Sequence, residues 1–258
     1  RLPNIWCEIV LKIKDQFAMG ATMPGFPGIL TGRTRNIAWG VTYAFIDAID
    51  SWVEKCKDGQ YYREEGDQWI PFSQRRETIL RKKNPPQEVI FYENDHGVLD
   101  GDPETEGYYL TTRWSADKSG AVSLEHYLHM WHVATVQEAM DTLGRQESAW
   151  SFVFADINGD IGFQMSGLVP VRREGVSGLV PLPGWDKAND WRGFVSHEDL
   201  PRALNPDQGF FATANHDLNA FGKVAPINMP MGSYRADRIN DLLAQRDDFV
   251  TENMFEMQ

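Results

Sequence analysis

Cysteine is scarce in this chain: Cys7 and Cys56 are the two present in 258 residues. One pair of thiols excludes a disulfide-stapled scaffold and a four-cysteine zinc site. Whether the two pair is left open by sequence, so they fix no redox compartment. No run of 18 apolar residues occurs, which excludes a transmembrane helix. Positive charge is in deficit: 25 Lys and Arg face 37 Asp and Glu, giving a net charge of −12. An acidic surface of this kind argues against nucleic acid and anionic membrane as partners. There is no Gly-x-Ser-x-Gly elbow, no His-Glu-x-x-His and no glycine-rich loop opening a helix. These absences exclude the common serine-hydrolase, zinc-peptidase and nucleotide-binding signatures. No internal repeat and no low-complexity segment is visible.

What is present is an ordinary globular composition, 42% hydrophobic and 24% charged, with enough aromatics for a sizeable core. The length fits one large unit or two small ones, and one continuous unit is expected. Residues 5–13, 17–23 and 37–45 carry the apolar and β-branched content of strands. Residues 58–107 are polar and rich in turns such as Lys57-Asp-Gly, Asn84-Pro-Pro and Asp95-His-Gly. Strands are expected there at 77–81 and 88–92, as hairpins on the edge of a larger sheet. The clearest helix covers 133–145, where Val136, Ala139, Met140 and Leu143 share one face. Thr135 and Glu138 fit a capping box at its start. Residues 150–165 read as a hairpin, with Asn158-Gly159 supplying a type I′ turn. A further strand is expected at 209–214 and a final helix at 235–245.

Several constellations invite chemistry and have plainer readings beside them. Asp47-x-x-Asp50 offers two carboxylates, with the Ile49 carbonyl between them, to a hard cation. Two solvated surface acids are the simpler account. Asp156-Ile-Asn-Gly-Asp160 superficially matches a calcium loop, but Ile161 and Gly167 occupy positions that loop reserves for Gly and Glu. The hairpin reading is preferred. His126, His129 and His132 are spaced for zinc, yet no second ligand motif accompanies them, so packing or surface histidines are expected. Ser115-Ala-Asp-Lys118 matches a bare Ser-x-x-Lys in a polar turn and is taken as chance. Asn215, closing Ala212-Thr-Ala-Asn, places a carboxamide donor at a strand end. Such a donor can stabilise an oxyanion, although an Asn there is more often a turn former.

The order of these pieces carries more than each alone. Gly20-Ala-Thr-Met-Pro-Gly-Phe-Pro-Gly28 precedes Gly32-Arg-Thr-Arg-Asn-Ile-Ala-Trp-Gly-Val-Thr42, then Asp47 and Asp50. Phe154-Ala-Asp-Ile-Asn-Gly-Asp-Ile-Gly162, Pro181-Leu-Pro-Gly184, Ala212-Thr-Ala-Asn215 and Tyr234-Arg-Ala-Asp-Arg-Ile239 follow. Together with Leu2-Pro-Asn-Ile-Trp-Cys-Glu8, the series resembles the penicillin acylase (penicillin amidase) family over nearly the whole chain. The resemblance implies an α+β, four-layer αββα N-terminal nucleophile hydrolase fold, here partial, with antiparallel sheets and extra hairpins. It implies amide hydrolysis by a Ser whose own α-amine is the base, and that Ser is expected upstream of Arg1. The chain reads as an internal fragment of the large chain, residues 1–258 forming one piece of its domain and inactive alone.

By the same resemblance, the Tyr43 backbone N–H and the Asn215 side chain form the oxyanion hole. Arg235 orients Asn215 or the substrate, with Arg238 a weaker candidate. Asp47, the Ile49 carbonyl and Asp50 hold structural Ca²⁺, completed by ligands elsewhere. Leu30, Thr31, Val41 and Trp150 line the acyl pocket. Thr31 and Trp150 differ from the usual residues of penicillin G acylases, so an aliphatic or long-chain acyl group stands beside phenylacetyl. The implied partners are a small N-acyl amide substrate and a small chain cut from the same precursor. A periplasmic or secreted location goes with them. Cephalosporin and acyl-homoserine-lactone acylases are alternatives within the class, and a non-catalytic binding domain is the alternative outside it.

Overall fold

The computed structural model describes residues 5–117 and 120–257. Lys118 of the Ser-x-x-Lys match and residues 2–4 of the first motif lie outside them. The strands, in order, are β1 (Cys7–Ile13), β2 (Gln16–Thr22), β3 (Thr31–Arg33), β4 (Ile37–Tyr43), β5 (Ile49–Lys57), β6 (Gln60–Arg63), β7 (Gln68–Pro71), β8 (Ser73–Ile79), β9 (Gln87–Asn94), β10 (Gly97–Asp100) and β11 (Gly107–Trp114). Two helices follow, α1 (Ala121–His129) and α2 (Val136–Gly144). Then come β12 (Trp150–Asp156), β13 (Ile161–Met165), β14 (Leu182–Pro183), β15 (Arg202–Leu204), α3 (Tyr234–Leu243) and α4 (Thr251–Glu256).

Two compact units divide these elements. The first comprises residues 1–46, 119–168 and 195–258, and the second 47–118 and 169–194. In the first unit, seven strands run in the order β1-β2-β3-β4-β12-β13-β15, every neighbour antiparallel. Helices α1 and α2 cover one face. Val136, Ala139, Met140 and Leu143 of α2 are buried there against Ile37, Trp39, Phe152 and Phe154. Burying each of the larger side chains contributes about 1.5–3 kcal/mol. A Cβ on Gly162 would lie 2.4 Å from Val136 and 2.8 Å from Met140, so only glycine lets α2 approach β13 this closely.

The predicted helix is present, starting at Val136. Its capping box is complete, Thr135 accepting from the Glu138 N–H while Glu138 accepts from the Thr135 N–H. Asp156 adds a third anchor by accepting the Val136 N–H at 3.0 Å. A carboxylate there also favours the positive end of the helix dipole.

The β12–β13 hairpin stands where the sequence places it, with a different turn. Gly159 has φ 95°, but Asn158 does not enter the left-handed region a type I′ turn requires. Asp156 organises the loop instead, its carboxylate accepting the N–H groups of Asn158 and Asp160. The type I′ geometry appears at Asp58-Gly59 between β5 and β6, where φ is 49° and 72°. The expected strand at 209–214 does not form. A strand needs a hydrogen-bonded neighbour, and no described segment pairs with this one beyond β15.

The second unit is a sheet in the order β7-β6-β5-β11-β10-β9-β8, with β14 added parallel to β5. The polar section of the sequence is hairpins, as expected, but with β5 they build this sheet themselves instead of edging a larger one. Alternation along β5 buries Asp50, Trp52, Glu54 and Cys56 on one face. Two carboxylates on a buried face must be paired. Glu54 meets His96, whose Nδ1 lies 2.6 Å from Oε1, while His96 Nε2 lies 2.8 Å from Asp190 Oδ1. Arg63 bonds Asp190 at 3.1 Å, and the Trp52 ring stacks on the imidazole at 4.3 Å.

Burial pulls the His96 pKa down, but the bonds to Asp190 and Glu54 outweigh it and raise it above 6.5. Burial likewise raises Glu54 and Asp190, and the His96 contacts with nearby Arg63 more than reverse this, leaving both lowered. The raised His96 value stabilises the fold fully below 6.5 and is lost as pH climbs through the folded pKa. The lowered acids contribute above their ordinary values of 4.5 and 3.8, and that is lost as pH falls through the folded ones. The intact protein should therefore gain its largest margin over a His96→Gln variant between pH 4.5 and 6.5. Urea midpoints of both across pH 4–9 measure this, and a margin constant over that range would refute it.

Candidate active site

Residues Tyr43, Asn215 and Arg235 meet in the first unit. The Ala44 N–H bonds Ala149 O at 3.2 Å, which makes Ala44 and Ala149 a hydrogen-bonded pair of the β4–β12 ladder. Tyr43, opposite Trp150, is then the non-bonded pair, and its N–H and C=O both point away from β12. Strand β3 does not reach that edge, since its last pairing toward Tyr43 is Gly32 with Trp39. Asn215 arrives there instead. Its Nδ2 donates to Tyr43 O at 2.7 Å and to Thr42 Oγ1 at 3.1 Å. The Tyr43 N–H opens on the same side.

Asn215 has φ 62°, a left-handed conformation that Asn tolerates better than most residues. Arg235, in the first turn of α3, donates from Nη2 to Asn215 Oδ1 at 2.9 Å and to Ala214 O at 2.8 Å. A guanidinium only donates, so this bond holds the carboxamide oxygen toward Arg235 and the NH₂ toward Tyr43. Thr42 was not singled out by sequence reasoning. Its signal is its position in Trp39-Gly-Val-Thr42, where period-two alternation sets Thr42 opposite Trp39 and Val41. The neighbouring His216 is partly buried with Nδ1 unpartnered, and burial lowers its pKa.

The four acyl-pocket candidates lie around the same strands. Leu30 is fully buried in the helix-side core, and Val41 and Trp150 pack partly buried against that core. Thr31 donates its hydroxyl to Trp39 O at 3.1 Å. Trp150 stacks on the exposed Tyr43 ring, centroids 4.8 Å apart. Trp39 fixes the approach to Leu30, its indole N–H shared between Ile29 O and Leu30 O.

The metal candidates belong to the second unit. Arg172 bonds Asp50 Oδ2 at 2.7 Å and Asp47 Oδ1 at 2.9 Å, and the Gly178 N–H bonds Asp47 Oδ2 at 2.8 Å. Trp191 donates its indole N–H to Asp50 Oδ2. Burial raises the Asp47 pKa, with Arg172 and the Gly178 N–H opposing. Asp50 Oδ1 is buried with no hydrogen-bond partner. A Cβ on Gly178 would lie 2.2 Å from Asp47 Oδ1, 2.5 Å from Ile49 O and 2.7 Å from Asp50 Oδ1. Three oxygens thus converge at Gly178. Among the described residues no group of three or more His, Cys, Asp or Glu side chains is arranged for a metal, the three histidines of α1 and its following turn included. Cys7 and Cys56 are free thiols.

The architecture is that of an N-terminal nucleophile hydrolase. It superposes on the thermostable penicillin G acylase from Alcaligenes faecalis with a TM-score of 0.86 at 24% identity, over 99% of this chain and 46% of that one. The penicillin amidase family model matches residues 1–258, and the chain belongs to that family. Its relatives include the acyl-homoserine lactone acylase QuiP of Pseudomonas aeruginosa, 30% identical over the whole chain and 32% of that protein. The penicillin acylase 2 proenzyme of Pseudomonas sp. SE83 is 32% identical over 98% of the chain and 33% of its own length. Penicillin G acylase of Escherichia coli is 30% identical over 90% and 26%. The chain therefore spans about a quarter to a third of the length of these curated relatives.

Proposed function

We propose that the protein containing this chain hydrolyses the amide bond of a small N-acyl substrate, of penicillin type or related. The observation that carries this reading is the Asn215 carboxamide, held by Arg235 with its NH₂ beside the Tyr43 backbone. In this reading the carbonyl oxygen of the substrate enters between the Tyr43 N–H and Asn215 Nδ2. As the tetrahedral intermediate forms, the Asn215 donor turns from Tyr43 O to the oxyanion. Arg235 positions Asn215 through Oδ1. The nucleophile is a Ser at the N-terminus of the mature large chain, outside this sequence. Its α-amine, with an ordinary pKa near 8, takes the proton from the hydroxyl and returns it to the leaving amine. A water activated by the same amine then cleaves the acyl-serine ester, releasing the acid and restoring the serine. Release of free amine from penicillin G and from medium- and long-chain acyl-homoserine lactones tests the reading. A full-length protein inactive on every such amide would overturn it. Partners in this reading are the small chain of the same precursor and the acyl substrate, in a periplasmic or secreted setting.

Calcium is part of the proposal. The Asp47 carboxylate, the Ile49 carbonyl and the Asp50 carboxylate would hold it, with further oxygens from outside this set. The convergence at Gly178 and the unpartnered Asp50 Oδ1 support a hard, oxygen-seeking cation. Bound there, the ion would supply structural charge neutralisation alongside Arg172. Chelation is expected to lower Tm of the full-length protein and added Ca²⁺ to restore it. An unchanged Tm on chelation would remove calcium from this account.

A further inference from the structure

The β8–β9 hairpin departs from the rest of the molecule in exposure and charge. Every residue of β8 is exposed. Strand β9 pairs with β10 only at Glu93 and Asn94, so the six pairs from Gln74–Tyr92 to Ile79–Gln87 form a two-stranded ribbon beyond the sheet. At about 3.3 Å per residue the ribbon is roughly 20 Å long. Its stem is internally compensated: Arg75 bonds Glu77 at 2.7 Å and Glu93 at 3.0 Å and lies 4.5 Å over the Phe91 ring. Its tip is not. Residues 80–86 read Leu-Arg-Lys-Lys-Asn-Pro-Pro, three consecutive cations with no acid. None of the ion pairs among the described residues involves Arg81, Lys82 or Lys83. Arg81 Nε donates to Pro85 O at 3.0 Å, which closes the turn and holds the cations together. Beside them Leu80 is 81% and Ile79 48% exposed.

We propose that this tip seats on an anionic phospholipid surface, with Leu80 at the headgroup–acyl boundary and Arg81, Lys82 and Lys83 on the phosphates. Cations next to exposed aliphatic side chains suit that boundary, because each kind of group finds its own layer. Nucleic acid would leave Leu80 and Ile79 in water. The net charge of −12 on this chain opposes the approach, but the Debye length is about 8 Å at physiological ionic strength. The ribbon is more than twice that, so repulsion from acids beyond its base is screened at the tip.

The test uses the full-length protein and vesicles of phosphatidylcholine alone or with one third phosphatidylglycerol. Flotation should show partition onto the anionic vesicles only, weakened by added NaCl. Each cation near such a surface contributes about 5-fold in partition, so R81Q/K82Q/K83Q should bind about 100-fold less. Leu80→Ser should also bind less, and amide hydrolysis should be unchanged in both variants. Equal partition onto the two vesicle types, or a triple variant that floats like the parent, would overturn the proposal. A mass increase on sedimentation that the triple variant abolishes would assign the tip to a second copy and overturn it too. Preferential binding of a DNA oligonucleotide would do the same.

Discussion

Replacing Asn215 by Gly in the full-length protein is expected to lower kcat for amide hydrolysis by about 10²–10³-fold, with KM changed far less. Gly is the informative choice because Asn215 sits at φ 62°. Ala would strain that backbone and mix a folding defect with a chemical one, whereas Gly adopts it freely. The loss is expected if, as proposed, the carboxamide donor meets charge that exists only in the transition state, which would spare ground-state binding. Arg235→Gln should reproduce part of the loss, since the carboxamide could then flip its oxygen toward Tyr43. Near-normal turnover in Asn215→Gly would remove Asn215 from the oxyanion site. Equal losses for Asn215→Gly and Asn215→Ala, with an unchanged Tm for Gly, would confirm that chemistry rather than folding is affected.

Arg172→Met is expected to destabilise the protein by about 3–5 kcal/mol at neutral pH in the presence of chelator. The side chain is 10% exposed and its two partners 8% and 1%, so removing it leaves two desolvated carboxylates facing one another. The Asp47 pKa is already raised by burial, and loss of the guanidinium removes an opposing influence. The defect should shrink as pH falls and Asp47 takes up a proton. The triple variant R172M/D47N/D50N should recover much of the stability, because an uncharged set incurs no ionic desolvation. Urea unfolding measures all three, and a loss below about 1 kcal/mol for Arg172→Met would contradict the buried-pair account.

Local periodicity made α2 legible, since Val136, Ala139, Met140 and Leu143 declare their face at a period of 3.6. The hairpin at 150–165 was equally visible, but its turn type was not. An Asn-Gly pair suggested type I′, and the Asp156 side chain overrode it with two competing hydrogen bonds, to the Asn158 and Asp160 N–H groups. The strand reading of 209–214 failed for a different reason: propensity describes one chain, and a strand is a property of two. Least legible was β5. No strand is read there from the sequence, and the structure puts Asp50 and Glu54 on the buried face of Trp52 and Cys56, which nothing local announces. Their partners are Arg172, 122 residues from Asp50, and His96, 42 residues from Glu54. Tyr43, Asn215 and Arg235 became visible as a set only through the order of the surrounding motifs. Thr42, inside the same motif, escaped notice because a strand threonine carries no signal of its own.

The division of the first unit into three chain segments bears on how the protein comes off the ribosome. Strand β4 finishes at Tyr43, while its partner β12 begins at Trp150. At about 5–20 residues per second, that partner arrives roughly 5–20 seconds later. Throughout the interval β4 presents a row of unpaired backbone groups, and its Ile37 and Trp39 wait for the α2 face that will cover them. The strand that ends in Tyr43 is therefore a sticky edge during synthesis before its finished form holds the Asn215 carboxamide. Slow growth temperature or a holding chaperone should raise the soluble yield of such a chain more than any change that strengthens its finished core.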